Sequence, residues 1–403
     1  MLRDGTIVCL SSIDWGFNWQ IPQEVTSRFA REGNHVLFIE NTGVRRPAWR
    51  DASRLRTRLG NWWRAGGRVR PIADRLDLCS PVILPFPYSR LACRFNSEVL
   101  LRVVRRWVGE RTGHPVIFMT FLPTLLARAI ASGLDPSLVI YYCADRLPES
   151  SPGARHLLGP ERALLADADV VFTSSSGLLN TASEYAQRAV LLTSGVRFHD
   201  FQRAREGAAG PPTGLRGLRR PIVGYVGSVR NELDLALLAR VARLAPELTF
   251  VFVGPIVADV TQLAACPNVR LLGPVAHADA VRYMLGFDLG LLPYVVNPYT
   301  TYMKPVKLKE YLAAGLPVVS TNLPEIRRFV AEHGSVVTIA DGADAFAGAL
   351  RSAVACDGPA AVARRLEVAR RYDWANQMRS MSAVIEAALA GDTMPARLVG
   401  SAS

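Results

Sequence analysis

The chain has 403 residues, 49% of them apolar, and carries 47 basic against 35 acidic side chains for a formal net charge of +12. Its length suits two domains rather than one core, its apolar content is that of a globular protein, and no apolar run approaches the ~18 residues that would span a bilayer. The excess of positive charge implies acidic company: nucleotide phosphates, nucleic acid or an anionic membrane surface.

In chain order, the terminus M-L-R-D-G runs straight into a first strand over 6–10, so no signal peptide is expected. The turn S-S-I-D-W-G-F-N-W-Q-I-P-Q-E leads into a helix carrying Glu24 to Arg31, and a second strand covers 35–40. Further strands are predicted over 116–120, 138–143, 170–173 and 190–192, separated by helical or loop stretches. Residues 203–220 are rich in glycine, proline and arginine, as a linker is. A second series of strands follows at 222–226, 248–253, 269–271, 289–292, 317–320 and, more weakly, 336–339, with helices over 233–245 and 278–285. Alternation at this spacing means parallel, doubly wound α/β sheets. The expected organisation is a first Rossmann-like domain over 1–205, a linker over 206–220, a second over 221–375, a closing helix over 376–392 and a tail over 393–403. Two such sheets would offer two carboxyl-end crevices to a pair of substrates. Six cysteines (Cys9, Cys79, Cys93, Cys143, Cys266, Cys356) lack metal spacing and read as thiols of a reducing cytoplasm.

The chemistry concentrates in 289–321, which reads strand, loop, helix, glycine stop, strand. Pro305 opens the helix and Gly315 ends it, and the helix's unpaired N–H groups favour an anion. All three lysines of the chain, Lys304, Lys307 and Lys309, lie here, although arginine serves everywhere else. A compact ammonium is therefore needed, or the lysines cluster by chance with Lys307 and Glu310 paired on a solvated face. Glu310, one turn inside the helix, can accept the vicinal ribose hydroxyls of a nucleotide, and Lys307 on the same side can neutralise a diphosphate. Leu308 is counted with this nucleotide-sugar set, and with Tyr311 and Leu312 it forms the apolar face. Lys309 is expected to point to solvent. Upstream, G-Y-V-G-S-V-R supplies Gly224, Gly227 and Arg230: glycine allows close approach to phosphate and Arg230 a bidentate grip, or it is an exposed turn residue. The third glycine of a dinucleotide fingerprint is missing, which argues against a dehydrogenase.

These residues, with D-W-G-F-N-W-Q-I-P-Q-E, Y-Y-C-A-D-R, E-R-A-L-L-A-D-A-D-V-V-F-T-S-S-S-G-L and above all P-V-K-L-K-E-Y-L-A-A-G-L-P-V-V-S-T, make the chain resemble a GT-B glycosyltransferase of the GT4-like group over nearly its whole length. The resemblance implies a first domain that binds a hydroxyl acceptor and a second that binds a nucleotide-sugar donor. It further implies a last helix crossing back to the first domain, Glu310 as ribose ligand, and Lys307 and Arg230 as diphosphate ligands. Many such enzymes carry E-x7-E, whereas Tyr302 stands eight residues before Glu310. Hydroxyls and an amide of 297–302, Tyr302 included, are expected to meet the sugar instead.

Asp14 and Asp145 each follow a strand, as a general base or as a cap of the next element. No cofactor and no catalytic metal is expected, since the histidines show no metal spacing. A nucleotide-sugar epimerase of the same plan, or a basic non-catalytic scaffold, would share the fold but not the reaction. Finally, residues 45–70 hold nine arginines and one acid, with Leu55, Leu59, Trp62 and Trp63 on one helical stripe. Such a helix would dock an anionic membrane through Arg54, Arg58, Trp62 and Trp63, extended by Arg102, Arg105, Arg106 and Trp107, or pack as a core helix with a wet basic face. No nucleic-acid motif accompanies the charge, so a peripheral position on the inner face of the cell membrane is expected.

Overall fold

The computed structural model describes residues 1–16, 19–42, 69–81, 83, 84, 86, 88–207, 210 and 212–392. By its contacts the chain divides into two compact units, Met1–Thr193 with Met378–Ser403, and Ser194–Gln377. The division falls ahead of the stretch expected as a linker.

Among its described residues the first unit has eight strands, β1 (Thr6–Leu10), β2 (His35–Ile39), β3 (Arg70–Ala73), β4 (Leu76–Cys79), β5 (Val116–Thr120), β6 (Leu138–Cys143), β7 (Val170–Thr173) and β8 (Ala189–Leu191). Around them run α1 (Ile21–Arg31), α2 (Arg90–Gly109), α3 (Leu125–Leu134), α4 (Leu158–Asp167) and α5 (Ser176–Ser183). The strand order is β3-β4-β2-β1-β5-β6-β7-β8, parallel except for the β3–β4 pair. That pair was not expected from the sequence, because R-P-I-A at the sheet edge is short and mostly exposed. β1 is buried along its whole length, as a strand covered on both faces must be.

The second unit carries β9 (Ile222–Val226), β10 (Thr249–Val253), β11 (Val269–Gly273), β12 (Leu289–Leu292), β13 (Val318–Ser320) and β14 (Thr338–Ile339). Its helices are α6 (Phe198–Glu206), α7 (Leu235–Leu244), α8 (Thr261–Ala264), α9 (His277–Leu285), α10 (Val306–Ala313), α11 (Pro324–His333), α12 (Ala343–Ala355) and α13 (Pro359–Arg371). The last helix, α14 (Trp374–Leu389), starts here, and its residues from Met378 onward group with the first unit. This sheet is parallel throughout, ordered β11-β10-β9-β12-β13-β14.

Each sheet has a switch point among its parallel strands, between β1 and β5 in the first and between β9 and β12 in the second. At such a switch point successive helices leave to opposite faces, so a crevice opens at the strands' carboxyl ends. Asp14 and Asp145 follow β1 and β6 at that edge of the first sheet. Gly227, Arg230 and the loop into α10 follow β9 and β12 at the switch of the second.

Candidate active site

Helix α10 is seated on the second sheet over a glycine, Gly290, while the neighbouring Gly224 makes room for Phe287 ahead of β12. Gly224 of β9 and Gly290 of β12 stand opposite one another in register. A Cβ on Gly290 would lie 2.5 Å from the Tyr311 ring, and one on Gly224 would lie 2.1 Å from Phe287. The bare backbone lets α10 approach until the Tyr311 hydroxyl accepts the Val226 N–H at 3.1 Å. At the far end of the helix Arg205 donates to the Ala313 carbonyl at 2.9 Å and Arg365 to that of Gly315 at 2.8 Å. Pro305 is the N-cap, just outside the first turn, and Gly315 has φ +77°, a conformation that favours glycine after a helix.

On the open side of α10 the Lys307 ammonium donates to Glu310 Oε2 at 2.7 Å, with both side chains about a quarter exposed or less. Each group holds the other in place and keeps further hydrogen-bonding capacity: two more N–H on Lys307 and a second oxygen on Glu310. The β9–α7 and β12–α10 loops are zipped together here: Val295 N–H donates to Glu232 O at 2.9 Å and Asp234 N–H to Pro293 O at 2.7 Å. Burial, in a pair hydrogen-bonded to Tyr294, pushes the Tyr225 hydroxyl up to about 12, and its pKa also responds to Glu232, Glu310 and Arg230. Gly227 has φ +152°, and a Cβ on Gly254 would come within 2.2 Å of Gly227 O. Both turns at the strand ends therefore need glycine.

Gly227 and Arg230 follow β9 and the Lys307–Glu310 pair follows β12, at neighbouring strand ends of one sheet; Arg230 is exposed. Tyr302 is half-buried in a 3₁₀ turn, Thr300–Tyr302. Several expectations are corrected. Leu308 is a core side chain with no exposure, and its N–H donates to Pro305 O. The loop's polar groups serve the loop itself: Asn297 Oδ1 accepts from Tyr299 N and Thr300 N, Thr301 donates to Asn297 O, and Thr300 is fully buried. Lys309 does not face solvent. It is completely buried, donates to the Ser194 carbonyl and stands 4.5 Å over the Tyr372 ring. Lys304 lies 5.8 Å over the same ring and that of Phe329, and Tyr372 hydrogen-bonds His333 Nε2 at 2.6 Å. Burial lowers the pKa of both lysines, that of Lys309 strongly. At 309 the choice of lysine goes with full burial, which disfavours a larger, permanently charged guanidinium.

In the first unit Asp14 is half-buried and Asp145 exposed, both at the carboxyl edge of the sheet. The loop bearing Asp145 is tied down by buried Glu161, which accepts from the Tyr141 hydroxyl at 3.0 Å and pairs with Arg146 at 3.4 Å. Beside Asp14, Glu40 accepts the Trp15 N–H at 2.9 Å and the Ser80 hydroxyl at 2.5 Å. Trp15 meets Trp19 edge to face at 5.6 Å, and Trp19 Nε1 donates to Glu24 at 2.6 Å. Sequence reasoning passed over Glu40; the signal available was a carboxylate directly after the apolar run of β2. Arg54, Arg58, Trp62 and Trp63 lie outside the described residues. Arg102, Arg105 and Arg106 are exposed as expected, but Trp107 is buried, donating to Asp77 at 2.8 Å.

Residues 220–355 match the family model described as Glycosyl transferases group 1. The chain is 28% identical over 254 residues to TuaH of Bacillus subtilis (strain 168), named as a teichuronic acid biosynthesis glycosyltransferase; the alignment spans 59% of this chain and 64% of TuaH. Sucrose-phosphate synthase from Thermosynechococcus elongatus superposes with a TM-score of 0.69 at 16% identity, over 96% of this chain and all of that one. HepE from Anabaena, solved in complex with UDP, gives 0.65 at 13% identity over 95% and 100%. WaaG, a glycosyltransferase involved in lipopolysaccharide biosynthesis, gives 0.60 at 15% over 94% and 99%. With two parallel sheets, each carrying a switch point, the chain has the GT-B fold of these structures, and residues 220–355 of its second unit match the group 1 glycosyltransferase model.

Proposed function

We propose that this protein transfers a glycosyl group from a nucleoside-diphosphate sugar to a hydroxyl acceptor in bacterial surface-polysaccharide or glycolipid assembly, at the cytoplasmic face of the membrane. The observation that carries the reading is the Lys307–Glu310 pair, fixed on a rigid helix at the carboxyl edge of β9 and β12. Glu310 accepts ribose hydroxyls, while Lys307, Arg230 and the helix's amino end meet the diphosphate. In the reaction the bond from the sugar's anomeric carbon to the diphosphate oxygen breaks and its electron pair leaves with the diphosphate. A bond to the acceptor oxygen forms, and the acceptor proton passes to a base. Stabilising the departing charge with preorganised cations is the second unit's contribution. If the transfer inverts the anomeric centre, Asp14 or Asp145 of the first unit supplies the base, and Tyr302 borders the sugar.

TuaH and WaaG, by their names, act in surface-polymer assembly, which supports the acceptor class; HepE binds UDP, which makes uridine diphosphate the first donor nucleotide to try. A thermal-shift panel of nucleoside diphosphates and their sugars tests the reading. A true ligand at 100 times its dissociation constant stabilises by roughly 2.7 kcal/mol, and a flat response to every nucleotide would sink it. A second expected outcome separates positioning from charge. Lys307→Arg keeps the positive charge but replaces the compact donor that meets Glu310 at 2.7 Å with a planar fork of different reach, so turnover should fall while the melting temperature stays put. Unchanged turnover would remove Lys307 from the diphosphate site.

A further inference from the structure

Four of the ten large apolar side chains exposed among the described residues lie within twelve positions of one another: Leu84 (43% exposed), Phe86 (53%), Leu91 (82%) and Phe95 (53%). Single exposed apolar groups are ordinary on a protein surface, whereas a held cluster marks a contact. This one is held. The buried Asn96 side chain grips Leu84 on both sides, its Oδ1 accepting the Leu84 N–H at 2.7 Å and its Nδ2 donating to the Leu84 carbonyl at 3.0 Å. Ser89 N–H donates to Phe86 O at 3.1 Å, and the Ser89 hydroxyl caps α2 by accepting the Ala92 N–H. The backbone under the patch is thus pinned to the first two turns of α2.

Helical spacing extends the patch. Leu91, Phe95, Arg102, Arg105 and Arg106 fall within about 100° of arc, since each residue turns the helix by about 100°. The opposite face, Ala92, Asn96, Leu100, Val104 and Trp107, is the buried one. The exposed stripe therefore begins apolar and ends basic. Its charge is unbalanced: Arg90, Arg94, Arg102, Arg105 and Arg106 face two acids, Glu98 and Glu110, which pair with Arg94 at 3.5 Å and Arg106 at 3.8 Å. An apolar tip that can enter the acyl boundary, followed along one helix face by arginines at headgroup level, is the pattern of a surface that lies on anionic lipid.

We propose that this face of α2, with Leu84 and Phe86, docks the protein on an anionic lipid bilayer. The docking serves the transferase reading by holding the enzyme where a lipid-linked acceptor would be, but it stands on its own observations. Co-sedimentation of the full chain with phosphatidylcholine vesicles, with and without phosphatidylglycerol, tests it. Binding should require the anionic lipid and weaken with salt. Leu91→Ser with Phe95→Ser should lower it roughly tenfold or more, given the apolar area withdrawn from lipid. Arg90→Glu with Arg102→Glu should also lower it and flatten its salt dependence. Both variants should keep the wild-type thermal response to nucleoside diphosphate, so failure of docking and failure of the donor-site reading are separately visible. Equal binding to neutral vesicles, no binding to either kind, or full retention by the serine variant would each overturn the proposal. So would a lowered melting temperature of the serine variant with unchanged vesicle binding, which would mean that the patch is covered by residues 43–68 or by a second copy.

Discussion

Replacing Lys309 with arginine is expected to destabilise the fold by at least about 3 kcal/mol, although the change preserves charge and would be silent on a solvated face. The Lys309 amine is fully buried, holds the Ser194 carbonyl and has the Tyr372 ring beneath it. Burial lowers its pKa strongly and the nearby Lys304 lowers it further, so the folded state favours the neutral amine more than water does. Arginine cannot give up its proton, and its larger head must either stay charged without solvent or push α10 away from Ser194. Chemical denaturation measures the loss; a change within a few tenths of a kcal/mol would mean the amine is solvated. A companion variant fixes the sign of the pH dependence. For a lysine whose folded pKa is depressed, the unfolded chain binds more protons between the folded and the unfolded values. Stability therefore rises with pH across that window and levels off above the ordinary lysine value. Lys309→Met lacks this titration. The stability of the wild type relative to Lys309→Met should climb toward alkaline pH, by no more than about 1.4 kcal/mol per pH unit, and a flat difference would assign the burial cost elsewhere.

Glu310→Ala is expected to weaken nucleoside diphosphate binding by roughly 1.5–3 kcal/mol, on the order of 10- to 150-fold in dissociation constant. The carboxylate is the acceptor for ribose hydroxyls in the proposed site, and it also orients Lys307 at 2.7 Å, so its removal loosens both ends of the grip. The fold should survive, because the exposed face of α10 does not hold the helix down. That is the work of Leu308, Tyr311 and Leu312, all fully buried. Titration calorimetry decides the matter. An unchanged affinity in a variant with wild-type melting behaviour would take ribose recognition away from Glu310.

The two lysines show how far a sequence can be read. Residues two apart on a helix point to roughly opposite sides, so if Lys307 meets a ligand Lys309 must face away from it. Which of those sides is wet depends on what packs there, and Ser194, the partner of Lys309, is 115 residues distant in the chain. Similarly, the glycine-rich stretch 206–220 has the composition of a linker, but the units divide at Thr193 and again at Gln377. There a short parallel bridge joins Val196 to Asp373, and Trp374 packs where a Cβ on Gly195 would lie. Composition records local chain freedom; it does not record where contacts stop.

By itself the sequence determined the parallel α/β class, nearly every strand, and the helix bearing Lys307 and Glu310. Those signals are local: buried parallel strands are continuous apolar runs, and proline before and glycine after a helix act through their own backbone. Only the tertiary structure decided the strand order, and with it the switch points that set Gly227, Arg230 and α10 at one edge. It also decided the burial of Lys309 and Trp107, the internal use of Asn297 and Thr300, and the exposure of Leu91 and Phe95. In each of these the outcome depends on partners far along the chain, which no local pattern of residues encodes.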